Sequence, residues 1–295
     1  MEKTQEKTQA AFNINNAKKV FNLSGEDIKE INGLIDLLHN HILEYADFKS
    51  FIKTCKDALT VATALLNGDK KTFKKFKLKY TTHTAQKMKN INSLSTYKKT
   101  SDICKYLSAC AVASGGICAR CYAEKSIKLY KSTLAPTLIY NTLLLKYTYI
   151  DNTQIDFIND KYFRFEAFSD LQSAIHFKNL ITICKKNKNT IFTLWTKAGY
   201  KLIDFMKKED IKNIPANMNI ILSEFYINKS LYDINAVINL QNILHSKNAL
   251  KVFCVYDSEE KRASSGFYLC KNSCATCLKC YEKSKAPLYI AEKLH

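Results

Sequence analysis

The chain has 295 residues, enough for one large domain or two small ones, and 46% of them are hydrophobic, so a sizeable core is expected. No run of about eighteen apolar residues occurs, so no membrane span is expected. The formal charge of +18 favours polyanions such as nucleic acid, although lysine scattered among abundant asparagine and isoleucine also describes ordinary solvated faces.

Residues 1–20 are polar and read as a flexible tail. They lack the apolar stretch of a secretory leader, so a cytoplasmic, reducing location is expected. Residues 21–89 read as a helical N-terminal region. Ser24 with Asp27 resembles a capping box, and Ile28, Ile31, Leu34, Ile35, Leu38 and Ile42 follow at helical spacing. Phe48, Phe51, Ile52, Cys55, Leu59 and Ala62 repeat that spacing in a second helix ending near Gly68. His39 and His41 read as ordinary surface or core histidines. Residues 69–90 are the most basic stretch. Phe73, Phe76 and Tyr80 interleave with lysines there, which describes either a nucleic-acid surface or an amphipathic helix with its lysines outward.

Residues 90–295 read as an α/β metal–sulfur domain. A short strand near 91–97 precedes Cys104, Cys110, Cys118 and Cys121, expected in a loop before a helix that carries Ile127 and Leu134. Strand-like runs at 162–168, 190–195, 219–222 and 251–256 alternate with helical runs at 171–186, around 202–206 and at 234–244. Parallel neighbours need crossovers, so the alternation predicts an open parallel sheet or partial (βα) barrel of about five strands. In such folds the carboxyl ends of the strands face the ligand. Asp170, Lys197 and Glu224, at predicted strand ends, are therefore the candidate catalytic residues. Asp170 and Ser223 have the alternative role of helix caps.

Cys270, Cys274, Cys277 and Cys280 fall within eleven residues. Thiolates are soft ligands for zinc and iron–sulfur clusters, and clustered thiols in a reducing compartment point to metal or catalysis more than to disulfides. Structural zinc usually uses separated pairs of cysteines, whereas one dense run is closer to ferredoxin-type spacing. The expected cofactor is one or two [4Fe–4S] clusters, with zinc as the alternative. Cys110, Cys118 and Cys121, with Cys104 beside them, would hold one group, and Cys270, Cys274, Cys277 and Cys280 another. The C-x3-C-x2-C spacing of radical S-adenosylmethionine (SAM) enzymes occurs at Cys270, Cys274 and Cys277, where no strand–helix array follows. The early set has seven intervening residues in place of three.

The set resembles the phage gene product 88 family. The resemblance rests on Cys110-x7-Cys118-x2-Cys121-Tyr122, Asn141, Phe163-Arg164-Phe165, Ser169-Asp170, Phe192 to Lys197, Ile221-Leu222-Ser223, and Cys274-x2-Cys277-x2-Cys280-Tyr281. It covers about residues 90–282 and implies an iron–sulfur-like α/β protein distantly similar to radical SAM enzymes, with SAM as a further cofactor. The family's Cys-Pro pairs are absent here, so the resemblance does not extend to Cys104 and Cys270. Two functions follow as expectations. One is an iron–sulfur protein of phage or mobile-element type with redox or radical-SAM-like activity. The other is a zinc-stabilised protein binding nucleic acid through residues 69–90.

Overall fold

The computed structural model describes residues 14–45, 48–81, 88–271 and 273–294. Three helices open the chain: α1 (Ile14–Phe21), α2 (Gly25–Glu44) and α3 (Lys49–Asn67). The tail expected over residues 1–20 therefore ends in a helix, whose Ala17 and Phe21 are buried. Residues 1–13 lie outside the described residues. Ser24 caps α2 through the expected reciprocal pairing with Asp27. Gly68 ends α3 at φ +69°, a left-handed conformation that glycine adopts without a Cβ penalty. A Cβ there would stand 2.9 Å from the Asn16 carbonyl oxygen. Gly68→Ala is expected to lower stability by about 1–2 kcal/mol, from the backbone conformation together with the clash, measured by urea unfolding.

The basic stretch forms only one helical turn, α4 (Lys70–Phe73), because Phe73 and Leu78 are drawn into the core on either side of it. An extended segment follows. Its Lys79 backbone N–H and C=O both pair with the Asn141 side chain. Lys74, Lys77 and Lys79 form ion pairs with Asp151, Asp156 and Asp57. The stretch is thus not the longer amphipathic helix; Phe73 is buried, and Phe76 and Tyr80 are partly so. His83 to Lys87 fall outside the described residues.

Then come β1 (Asn92–Leu94), α5 (Asp102–Ser114), α6 (Tyr122–Leu129), α7 (Leu134–Leu145), β2 (Tyr162–Phe165) and α8 (Ala174–Lys186). They are followed by β3 (Ile191–Thr196), α9 (Leu202–Lys208), β4 (Met218–Ile227), α10 (Ile234–Ile243) and β5 (Lys251–Tyr256). The end of the chain adds α11 (Glu259–Ser264), β6 (Tyr268–Leu269), α12 (Cys274–Cys277) and β7 (Leu288–Lys293).

Among the described residues the strands form one open sheet of seven, ordered β1-β2-β3-β4-β5-β7-β6, with every pair parallel. It does not close into a barrel. Two of the seven strands lie beyond β5, which was expected to be the last. β7 enters beside β5, and β6 forms the edge.

Side chains alternate across the strands, so the two faces carry different residues. Phe163, Phe165, Phe192, Leu194, Ile220, Leu222, Val252 and Cys254 face a large core shared with α7 to α10. Helices α2 and α3 belong to the same core, so the N-terminal helices and the sheet are packed as one body. On the other face Trp195, Ile221, Phe253 and Ile290 meet Ile91 and the late cysteine segment, through Cys270, Cys274 and Tyr281. A sheet buried on both faces explains why its strands read as nearly continuous apolar runs.

Candidate functional site

The early cysteines gather at the carboxyl edge of the sheet. Cys104 and Cys110 lie on α5 itself, not in a loop, because Ser101 caps that helix by accepting from the Cys104 N–H at 3.2 Å. Gly115 ends α5 in the left-handed conformation. Cys118 follows on a 3-10 turn, and Cys121 stands at the N-terminus of α6. Gly116 lies against the Phe225 ring, where a Cβ would stand 2.5 Å from its nearest carbon, so this turn is fitted to the end of β4.

Cations stand among these thiols. Lys98, largely buried, places Nζ 3.6 Å from the Cys121 sulfur and 3.0 Å from a Glu124 carboxylate oxygen. Lys197 follows β3 and donates to the Ser223 hydroxyl at 3.1 Å. Burial pushes the Cys104 thiol up to about 12, with the Asp170 charge acting in the same direction and Ser101, Lys197 and Lys98 opposing. Burial also raises Cys118, with Lys197 opposing and Cys121 and Asp170 adding to the rise. Cys104 is accordingly a protonated thiol at neutral pH.

Asp170 does not cap α8. Ser173 does, accepting from the His176 N–H at 3.1 Å. The Asp170 carboxylate turns instead to the end of β3, where it accepts from Thr196 Oγ1 at 2.5 Å and Lys197 N at 2.8 Å. It also accepts from the Leu171 N–H. Burial raises its carboxyl above the ordinary value, and those donors oppose the rise. Asp170, which follows β2, is thus joined to the backbone of Lys197 at the end of β3.

Ser223 and Glu224 lie inside β4, which runs on to Ile227, so neither marks a strand end and Ser223 caps no helix. Glu224 is buried, and its Oε1 accepts from Ser230 Oγ, Leu231 N and Tyr232 N. Those bonds make it the anchor of the turn after β4.

Behind Asp170 lies a buried pair with no counterpart in the sequence reading. Glu166 ends β2 at φ +54° and accepts from Thr96 N and Oγ1. Its other oxygen faces His176 Nε2 at 3.4 Å. The imidazole Nδ1 accepts from the Gln172 N–H, so the neutral ring carries its proton on Nε2, toward Glu166.

The late cysteines cover the second face of the sheet. Strand register sets Ser93, Arg164, Thr193 and Asn219 side by side beneath them. The Arg164 guanidinium lies 4.2 Å from the Trp195 ring centroid and donates through Nη1 to the Met88 sulfur at 3.1 Å. Its Nε is buried without a hydrogen-bond partner, as are Thr193 Oγ1, Asn219 Oδ1 and Tyr281 Oη. Burial works against the Arg164 charge, while Tyr122, Tyr281, Cys274 and Cys280 hold it above its ordinary value. The tyrosines that follow Cys121 and Cys280 therefore converge on one arginine.

Lys251, at the start of β5, is fully buried. Its ammonium donates to the carbonyls of Lys279 (2.6 Å), Cys280 (3.2 Å) and Glu282. Burial pushes it down to about 8, with Cys280 and Glu282 opposing. Asn219 adds a bond to the Tyr281 carbonyl at 2.7 Å. The late run is thereby pinned to the sheet by its backbone.

Among the described residues, no three His, Cys, Asp or Glu side chains stand together as a ready metal site. Cys118 lies close enough to Cys121 for their charges to interact, whereas Cys104 and Cys110 are six residues apart on α5. Cys55, Cys184 and Cys254 are fully buried core residues apart from both groups.

Fold and site together define an open parallel α/β protein with two cysteine groups, one at the carboxyl edge and one on a sheet face. The profile of the gene product 88 family matches residues 63–283, and the chain belongs to that family. No curated protein and no solved structure matches the chain. Among the described residues, no helix is long and apolar enough to cross a membrane.

Proposed function

We propose that this protein is a metal–sulfur protein in which Cys110, Cys118 and Cys121, with Cys104 beside them, and Cys270, Cys274, Cys277 and Cys280 hold one or two [4Fe–4S] clusters. The observation that carries the reading is the presence of cations at both cysteine groups. Lys98 and Lys197 attend the early group, and Arg164 and Lys251 attend the late one. Among the described residues no carboxylate forms an ion pair with Arg164, and a buried guanidinium without a carboxylate is costly unless other negative charge faces it. Thiolates bound to metal supply that charge. A cluster held by only three thiolates of the early set would leave one iron open to SAM or substrate, and Asp170 and Lys197, whose charges act on Cys104 and Cys118, would be polar groups near it.

Purification without oxygen, an absorbance spectrum and an iron, sulfide and zinc assay test the reading. A broad band near roughly 400 nm with about eight irons per chain is expected for two clusters, or about four for one. Alanine at Cys110, Cys118 and Cys121 is expected to remove one complement. Alanine at Cys274, Cys277 and Cys280 is expected to remove the other. A colourless zinc protein would replace iron with a structural role, and a metal-free protein of native fold would overturn the proposal.

A further inference from the structure

Beside the early cysteines a groove of about 490 Å³ runs between α5 and the turn that precedes α9. It is lined by Asp102, Ile103, Tyr106, Tyr200 and Lys201. Its walls are two large aromatic side chains with little packing of their own, Tyr106 at 63% exposure and Tyr200 at 56%. Tyr200 and Tyr226 stand close enough to act electrostatically on Tyr106, and Cys110 follows Tyr106 one turn along α5. The end of β4 that carries Tyr226 is fixed by Phe225, whose ring packs on it at 5.0 Å and rests on Gly116. Lysines border the rings, with Lys201 Nζ 5.9 Å from the Tyr200 centroid and Lys229 Nζ 5.7 Å from that of Tyr226.

We propose that this groove binds single-stranded nucleic acid, with a base stacked against Tyr106 and Tyr200 and the phosphates following Lys201 and Lys229. Aromatic faces that accept any base, set beside cations that track a backbone, are the physical elements of single-strand binding. The chain's charge of +18 supplies the long-range attraction. Asp102, half of an exposed pair with Lys105, is the acid at the groove and can accept from a base's exocyclic amine. A duplex keeps its bases stacked and paired, so it offers these rings nothing to stack on. In the basic stretch that follows α3, by contrast, Phe73 is buried and Lys74, Lys77 and Lys79 are paired with aspartates.

Fluorescence anisotropy of the full chain with labelled DNA and RNA strands of about twelve nucleotides, a length within the usual single-strand site range, tests this. Tyr106→Ala and Tyr200→Ala are each expected to weaken binding about tenfold, from the loss of one stacked base, whereas Tyr106→Phe changes it less than about twofold. The double variant Lys74→Ala/Lys75→Ala is expected to weaken binding no more than about threefold, through general charge alone. Both tyrosines are exposed, so circular dichroism of the variants is expected to match the parent. The proposal is overturned if the parent chain fails to bind a single strand, binds a duplex equally well, or binds adenosine monophosphate as tightly as the strand. It is also overturned if the tyrosine variants bind like the parent.

Discussion

Lys251→Met is expected to loosen the late cysteine segment from the sheet and to lower stability by about 3 kcal/mol. Methionine fills similar volume but donates nothing, so the carbonyls of Lys279, Cys280 and Glu282 all lose their ammonium partner. A hydrogen bond to a charged group contributes roughly 1.5–3 kcal/mol, and three of them would exceed the expected loss. Two effects bring the figure down. Removing the ammonium relieves its burial cost, and carbonyls in a turn near the surface can turn to water. The signature is therefore local as much as global. Cys274, 8% exposed in the native packing, is expected to react with a thiol-labelling reagent several-fold faster in the variant. Cys55, Cys184 and Cys254, at 0%, stay protected until the whole chain unfolds. Peptide-level mass spectrometry after timed labelling reads both. Parent-like labelling of Cys274 would show that Lys251 does not hold the segment.

The readable parts of this chain are those set by local periodicity. The capping box of α2, the glycine end of α3, the positions of the first five strands, and α8, α9 and α10 between the later ones follow from residue spacing. Asp170 and Lys197 follow neighbouring strands, and there the carboxylate of one meets the backbone N–H of the other. What escaped depends on distant partners. β7 carries Ala291, Glu292 and Lys293, and its place beside β5 is set by residues some forty positions earlier. Ser223 and Glu224 look like the end of a strand, yet β4 continues because Phe225 packs on the Gly116 turn. Two residues could cap α8, and only the bonds to Thr196 and Lys197 show that Asp170 serves β3 instead. Arg164 gave a signal that went unused, since a charge between the phenylalanines of an aromatic strand must be answered from the opposite face of the sheet. For Lys251 and His176 no local signal exists, because their burial is created by tertiary packing.

The Glu166–His176 pair is expected to contribute a bell-shaped term to stability against pH, flat between about 4.5 and 6.5 and falling on both sides. Burial holds the His176 imidazole down at about 3 and Lys146 adds to that, while burial pushes the Glu166 carboxyl well above its ordinary value. Between these limits the folded pair keeps one proton, on Glu166, beside a neutral ring. The unfolded chain, with ordinary values near 4.5 and 6.5, holds two protons below about pH 4.5, one between, and none above about 6.5. Below pH 4.5 the unfolded state thus binds the extra proton, and stability falls as pH falls toward 3. Above 6.5 the folded state holds the extra proton over the range in which the raised Glu166 carboxyl stays protonated, and there stability falls as pH rises. Each limb has a slope of at most about 1.4 kcal/mol per pH unit. Glu166→Gln keeps a similar shape without the titrating carboxyl, so its stability relative to the parent is expected to rise steadily from about pH 4.5 upward, through and beyond pH 6.5. Glu166→Ala leaves the Thr96 N–H and hydroxyl without that acceptor and a space beside His176, at a cost of about 3 kcal/mol at any pH. Urea unfolding of the three proteins in steps from pH 3.5 to 8.5 separates these effects. A Glu166→Gln curve parallel to the parent's above pH 6.5 would mean that Glu166 holds no proton there and is ionised in the folded core.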